Sequence, residues 1–227
     1  MSSLEATPGV EPGPLAAAPR RKRYRVAAVG DSLTDERAGG GRYLAELRDR
    51  CPRSGFVSLG RGGDMVNQMR ARFERELVAL GEPLTHVILF GGVNDLYSDL
   101  TAGRTPGKIQ ADLGAMYAMA RARGASVVAV TVAPWAGFKR YFNPGRGVAT
   151  LQVNRWITEQ RADKTVDHVV DAYTLLACSA GGAPDHSSAA GAFLCKQYAR
   201  KDGLHLSEAG YRRLGEALHR QVFADCE

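Results

Sequence analysis

Five short apolar runs rich in β-branched residues alternate with longer amphipathic stretches along this chain, and that alternation leaves few folds open. The runs are 24–30, 55–60, 86–91, 126–132 and 166–172. Between and after them lie stretches near 40–50, 64–80, 108–123, 148–162 and 207–223. In the second stretch Met65, Met69, Phe73 and Leu77 fall four residues apart, and in the last Leu214, Leu218 and Val222 do the same. That spacing lays one apolar stripe along a helix, so each stretch predicts a helix packed by one face. Ser207 stands where it would cap the last of them. Strands separated by helices need crossover connections, which predicts a parallel sheet covered by helices on both faces. With 227 residues, 44% hydrophobic and 24% charged, the chain has the material for one such domain with a full core.

The domain is expected over 24–227. Residues 1–23 read as a disordered leader: Pro, Ala and Gly are plentiful and large apolar groups are few. Arg20, Arg21, Lys22 and Arg23 close it as a solvated hinge, since four basic residues without interleaved aromatics do not make a nucleic-acid patch. The formal charge of +6 is a mild excess, in keeping with a basic solvated exterior. No apolar run is long enough to cross a bilayer, and no basic start followed by an apolar core marks a signal peptide.

The run Val26-Ala27-Ala28-Val29 leads straight into Gly30-Asp31-Ser32-Leu33-Thr34-Asp35. A strand ending there presents the Ser32 hydroxyl at the carboxyl edge of the sheet, where open α/β sheets build their active sites. A serine becomes a strong nucleophile when a base takes its proton. Asp202-Gly203-Leu204-His205 offers that base just before a helix, with Asp202 three residues away to orient the imidazole and stabilise its charged form. Acyl transfer also needs donors where negative charge develops. The Ser32 N–H, the Gly60 N–H and the Asn94 side-chain amide are the candidates, in Ser58-Leu59-Gly60-Arg61-Gly62-Gly63 and Gly91-Gly92-Val93-Asn94-Asp95.

Other readings of the chain fit poorly. Ala177-Cys178-Ser179-Ala180-Gly181 lacks the first glycine of a nucleophile elbow. Gly103-Arg104-Thr105-Pro106-Gly107-Lys108 has the wrong spacing for a phosphate loop. His86, His168, His186 and His219 are scattered and read as core or surface residues, so no metal site is expected. None of the four cysteines forms a C-x-x-C pair, which argues against structural zinc.

Four blocks in this order resemble the SGNH hydrolase superfamily, the GDSL lipase/esterases: Gly-Asp-Ser-Leu at Ser32, Leu-Gly-Arg-Gly-Gly-Asp at Gly60, Gly-Gly-Val-Asn-Asp at Asn94, and Asp-Gly-Leu-His at Asp202 and His205. The resemblance spans about residues 24–224. It implies a flavodoxin-like three-layer α/β/α sandwich with a five-stranded parallel sheet, and ester hydrolysis without metal or cofactor. Many members carry Asn two positions before the glycine of the second block. Here that position is Ser58, which puts a local supporting hydrogen bond in doubt. The expected function is a serine esterase acting on short acyl esters of a small molecule, carbohydrate or lipid. An acyltransferase, lysophospholipase or thioesterase on the same triad is the alternative, and a non-catalytic carbohydrate- or lipid-binding module is the least favoured reading.

Residues 134–147 follow a strand and so should sit at the carboxyl edge. Trp135, Phe138, Tyr141 and Phe142 there either hold a short acyl group or sugar face, or pack the loop itself. Cys178 and Cys195 bracket a Gly/Ala-rich loop that a disulfide would close. In the implied fold the first and last helices lie side by side with neighbouring carboxyl ends, so Cys51 and Cys226 could meet. Two such pairings lean towards export to an oxidising compartment, with a cytoplasmic protein as the alternative.

Overall fold

The computed structural model describes residues 21–178 and 193–227. Five strands, β1 (Arg25–Gly30), β2 (Gly55–Gly60), β3 (His86–Phe90), β4 (Ser126–Val130) and β5 (His168–Val170), form one parallel sheet in the order β2-β1-β3-β4-β5. The helices are α1 (Arg42–Arg50), α2 (Val66–Ala79), α3 (Val93–Tyr97), α4 (Asp99–Ala102), α5 (Pro106–Ala122), α6 (Pro144–Glu159), α7 (Ala172–Leu176) and α8 (Glu208–Val222). A short antiparallel pair, β6 (Ala177–Cys178) and β7 (Phe193–Leu194), lies apart from the main sheet.

Successive strand residues point to opposite faces, and the core divides accordingly. Val26, Ala28, Ile88 and Phe90 pack with Leu44 and Leu47 of α1 and Leu214 and Leu218 of α8. Ala27, Val29, Val87 and Leu89 pack with Met69 and Phe73 of α2, Leu113 of α5 and Ile157 of α6. This is the three-layer sandwich implied by the motifs. The register sets Gly30 beside Gly60, so β1 and β2 end level at the carboxyl edge.

Two helices start earlier than their apolar periodicity suggests. Thr105 caps α5 and Asn143 caps α6, and each helix opens on proline, whose fixed φ suits a first helical position. Ser207 caps α8, accepting from the Gly210 N–H.

The chain ends are fastened together. Of the expected leader, residues 1–20 lie outside the described residues. Lys22 runs beside Cys226, donating its N–H to the Asp225 carbonyl at 2.8 Å and accepting from Glu227 at 2.9 Å. Cys51, at the end of α1, is bonded to Cys226 across 175 residues of sequence, and Cys178 to Cys195 across 17. Most of the loop between Cys178 and Cys195, residues 179–192, lies outside the described residues. In the chain-entropy account the shorter link alone contributes about 3 kcal/mol and the longer one more. Thiol titration of the denatured, unreduced protein is expected to find no free thiol; four would contradict both pairings.

Candidate active site

The turn after β1 is built by Asp31. Its carbonyl accepts the N–H groups of Thr34 and Asp35, both at 3.0 Å, and its Oδ1 accepts the Leu33 N–H at 2.9 Å. This lifts Ser32 from the strand end, half-exposed, towards the turn before α8. There His205 Nε2 lies 3.0 Å from Ser32 Oγ, and His205 Nδ1 lies 2.7 Å from Asp202 Oδ2. The other oxygen, Asp202 Oδ1, accepts the backbone N–H groups of Leu204 and His205, each at 2.9 Å. Burial raises the Asp202 pKa, but the bonds from the His205 side chain and the two N–H groups outweigh it and hold the carboxyl below its ordinary value. An ionised carboxylate only accepts, so Nδ1 carries the imidazole proton and Nε2 is left to accept from the serine.

Asn94, buried on α3, donates one Nδ2 proton to the Asp64 carbonyl at 2.8 Å and keeps the second for another acceptor. Gly60 departs from its expected role as a donor. Its N–H turns to Ser58 Oγ at 3.3 Å, and a Cβ on it would lie 2.3 Å from Asp35 N and Thr34 C. It is a glycine because β2 presses against the nucleophile turn. Ser58 also donates to the Thr34 carbonyl at 2.6 Å, so a serine ties this strand to the turn where an asparagine was expected to matter. The glycine that faces open space is Gly63, with φ +85°, immediately before the residue that holds Asn94. Among the described residues no acceptor takes the Gly63 N–H. Its signal was already in the Gly-Gly-Asp of the second block.

Two buried arginines brace these loops, and the sequence reading missed both. Arg72 of α2 donates to the carbonyls of Gly30 and Leu59 and to Asp64 Oδ2, joining two strand ends to the Gly63 turn. Arg104 donates through Nε to Asp95 Oδ1 at 2.6 Å and through Nη2 to Asp112 Oδ2 at 2.7 Å, while Asp95 Oδ2 accepts the Val66 N–H at 2.8 Å.

Asp31 itself is fully buried, and among the described residues no donor reaches its Oδ2. Burial pushes its pKa up to about 7, helped by Asp95 and Asp64 and opposed by the Leu33 N–H. The folded protein therefore holds this proton more tightly than the unfolded chain does. The associated stability is present below pH 4 and is lost as pH climbs to about 7. Asp31→Asn cannot ionise. The fall in unfolding free energy between pH 5 and pH 8 is expected to shrink in this variant by about 2.5 kcal/mol, at roughly 1.4 kcal/mol per tenfold change in proton affinity. Denaturant titrations at the two pH values check it.

The aromatic residues of 134–147 part company. Trp135 is 1% exposed, and its Nε1 donates to Thr150 Oγ1 at 2.9 Å. It anchors the loop and is not a substrate contact, because its indole face is spent on the core. Phe142 packs edge-on against it, with ring centres 5.0 Å apart. Phe138 and Tyr141 are half-buried with centres 4.9 Å apart, and Tyr97 joins both at 5.9 and 5.3 Å. Tyr97 sits three residues after Asn94 on α3, so one short helix carries the amide and part of this aromatic wall. His86 and His168 open β3 and β5 at the opposite sheet edge, His219 lies by the Cys51–Cys226 bond, and His186 falls outside the described residues.

Residues 28–213 match the GDSL-like Lipase/Acylhydrolase family. No curated protein matches the sequence. Among solved structures, a lipase/acylhydrolase from Enterococcus faecalis superposes with a TM-score of 0.68 at 19% identity, covering 87% of this chain and 94% of that one. An acetyl xylan esterase gives 0.66 at 18% identity, covering 86% and 98%. A psychrotrophic esterase from Pseudoalteromonas sp. gives 0.63 at 15% identity, covering 88% and 97%. Likenesses this distant in sequence establish the shared fold.

Proposed function

The chain belongs to the GDSL-like lipase/acylhydrolase family and is a serine ester hydrolase, and from that premise we propose that it hydrolyses short-chain acyl esters through Ser32, His205 and Asp202. The observation that carries this reading is the unbroken chain from Ser32 Oγ to His205 Nε2 at 3.0 Å and from Nδ1 to Asp202 Oδ2 at 2.7 Å. Ser32 Oγ attacks the ester carbonyl as its proton passes to His205 Nε2. The imidazolium so formed is stabilised by Asp202 and returns the proton to the departing alcohol, leaving an acyl-serine. Water, deprotonated by the same imidazole, then releases the carboxylic acid and restores the hydroxyl.

The negative oxygen of each tetrahedral intermediate is taken by the Ser32 N–H, the second Asn94 Nδ2 proton and the Gly63 N–H. Removing one donor of this kind costs about 3 kcal/mol of transition-state stabilisation. The His205 and Asp202 side chains are 30% and 39% exposed, so water reaches the acyl-serine, which favours hydrolysis over transfer to another alcohol. Phe138, Tyr141 and Tyr97 form the apolar wall for the acyl group. The fold shared with an acetyl xylan esterase supports a small acyl group on a carbohydrate alcohol. Two disulfides suit an oxidising compartment, and we place the protein outside the cytoplasm on that ground.

A panel of p-nitrophenyl esters from acetate to decanoate, with acetylated xylan beside it, tests this. Acetate and butyrate are expected to give the highest kcat/KM. Faster turnover of decanoate would overturn the short-acyl reading.

A further inference from the structure

The turn that carries Asp202 and His205 is braced on one side by its own strand-like neighbours. Ala199 pairs with Leu206, and Arg200 donates its N–H to the His205 carbonyl at 2.8 Å. On another side it meets the loop between β4 and α6 through two glycines packed back to back. A Cβ on Gly137 would lie 2.9 Å from the Gly203 Cα and 3.2 Å from its carbonyl oxygen. A Cβ on Gly203, which has φ +71°, would lie 2.3 Å from the Gly137 carbonyl carbon. Neither position has room for a side chain. Leu204 seals the contact by packing into the same core cluster as Trp135.

The next residue after Gly137 is Phe138, the first ring of the aromatic wall. The loop that bears it is rooted on α6. Asn154 bonds both the N–H and the carbonyl of Val132, at 2.8 and 2.9 Å, and Thr150 holds the Trp135 indole. Arg146 ties the loop carbonyl of Tyr141 to Asp99 of α4. The wall is thus a rigid piece of the scaffold, and the acid–base turn rests on it.

We infer that Gly137 and Gly203 are positioning residues: their contact registers the acid–base turn against the aromatic loop and sets the reach of His205 Nε2 to Ser32 Oγ. This rests on the triad reading of Ser32, His205 and Asp202. A displacement of about 1 Å at a reacting group costs on the order of a hundredfold in rate. A methyl group on Gly137 must push the two backbones apart by a fraction of that.

Gly137→Ala is therefore expected to lower kcat about tenfold or more with KM within about threefold. The rate of inactivation by a small phosphonate ester falls in parallel. Thr150→Val provides a second variant, on α6 and outside the glycine contact itself. Freeing the Trp135 indole at the loop root should give the same signature, a lower kcat and slower phosphonate inactivation with KM little changed, on a smaller scale. Variants that lose only melting temperature, or lose only KM, while phosphonate inactivation stays at the wild-type rate would overturn the inference. The triad reading fails separately, if the wild-type protein neither turns over esters nor takes the phosphonate on Ser32.

Discussion

Ser32→Ala is expected to lower kcat on p-nitrophenyl acetate on the order of ten-thousand-fold or more while leaving the fold intact. The hydroxyl is the only atom the proposed scheme asks to make a bond to the substrate. Its one partner among the described residues is His205 Nε2, so its loss removes no packing and no backbone bond. The turn itself is held by the Asp31 carbonyl and side-chain carboxyl and by Ser58, none of which the substitution touches. Members of a catalytic triad act as a unit, so adding His205→Ala to Ser32→Ala should cost little more. A small residual rate should survive from the oxyanion donors. Steady-state kinetics and a melting curve on the same sample read both halves. A variant that keeps a tenth of the wild-type kcat would show that another group attacks the ester.

The second large effect concerns stability. Arg104 is 9% exposed and lies between two carboxylates, Asp95 at 0% and Asp112 at 8%. Burial pushes the Asp95 carboxyl above its ordinary value even with Arg104 and the Val66 N–H holding it down. Burial alone would also lower the Arg104 pKa, and the two carboxylates more than offset that. Arg104→Met keeps the volume and removes the cation. Asp95 is then left buried with one N–H, and Asp112 depends on Arg70 alone. Breaking a buried pair from one side costs about 3–5 kcal/mol, far more than losing a surface pair. Denaturant unfolding is expected to show a loss of this size. Asp95 follows Asn94 directly, so the folded fraction of the variant should also lose activity. A change in stability below about 1 kcal/mol would mean that the carboxylates find other partners or protonate at little cost.

The layered sheet was legible because its cause is local. Each strand is an apolar run, and α2 and α8 carry apolar stripes at four-residue spacing. Block order placed Ser32 and His205 together although 173 residues separate them. The Asp-x-x-His spacing is itself a turn geometry, which is why Asp202 could be named beside His205.

What escaped the sequence depends on contacts between loops that no single segment encodes. Gly60 and Gly63 lie in one glycine-rich turn, and only the approach of β2 to the Thr34–Asp35 backbone shows which of them is packed and which is open. Trp135 and Phe138 are three residues apart, yet the partner of one is Thr150 and of the other Tyr97. The buried roles of Arg72 and Arg104 were hidden because arginine is ordinarily a surface residue, and only their carboxylate and carbonyl partners make burial tolerable. The short helix α3 was missed because five residues are too few to display a period.

If Ser32 is the group that is covalently acylated, a phosphonate ester should label it. The wild-type protein is incubated with a small p-nitrophenyl phosphonate ester, its intact mass is measured, and the modified peptide is mapped. One phosphonyl group per chain is expected, on Ser32, with loss of activity in proportion to labelling and no label on Ser32→Ala. Stoichiometric label on any other residue, or full inactivation without a label on Ser32, would contradict it.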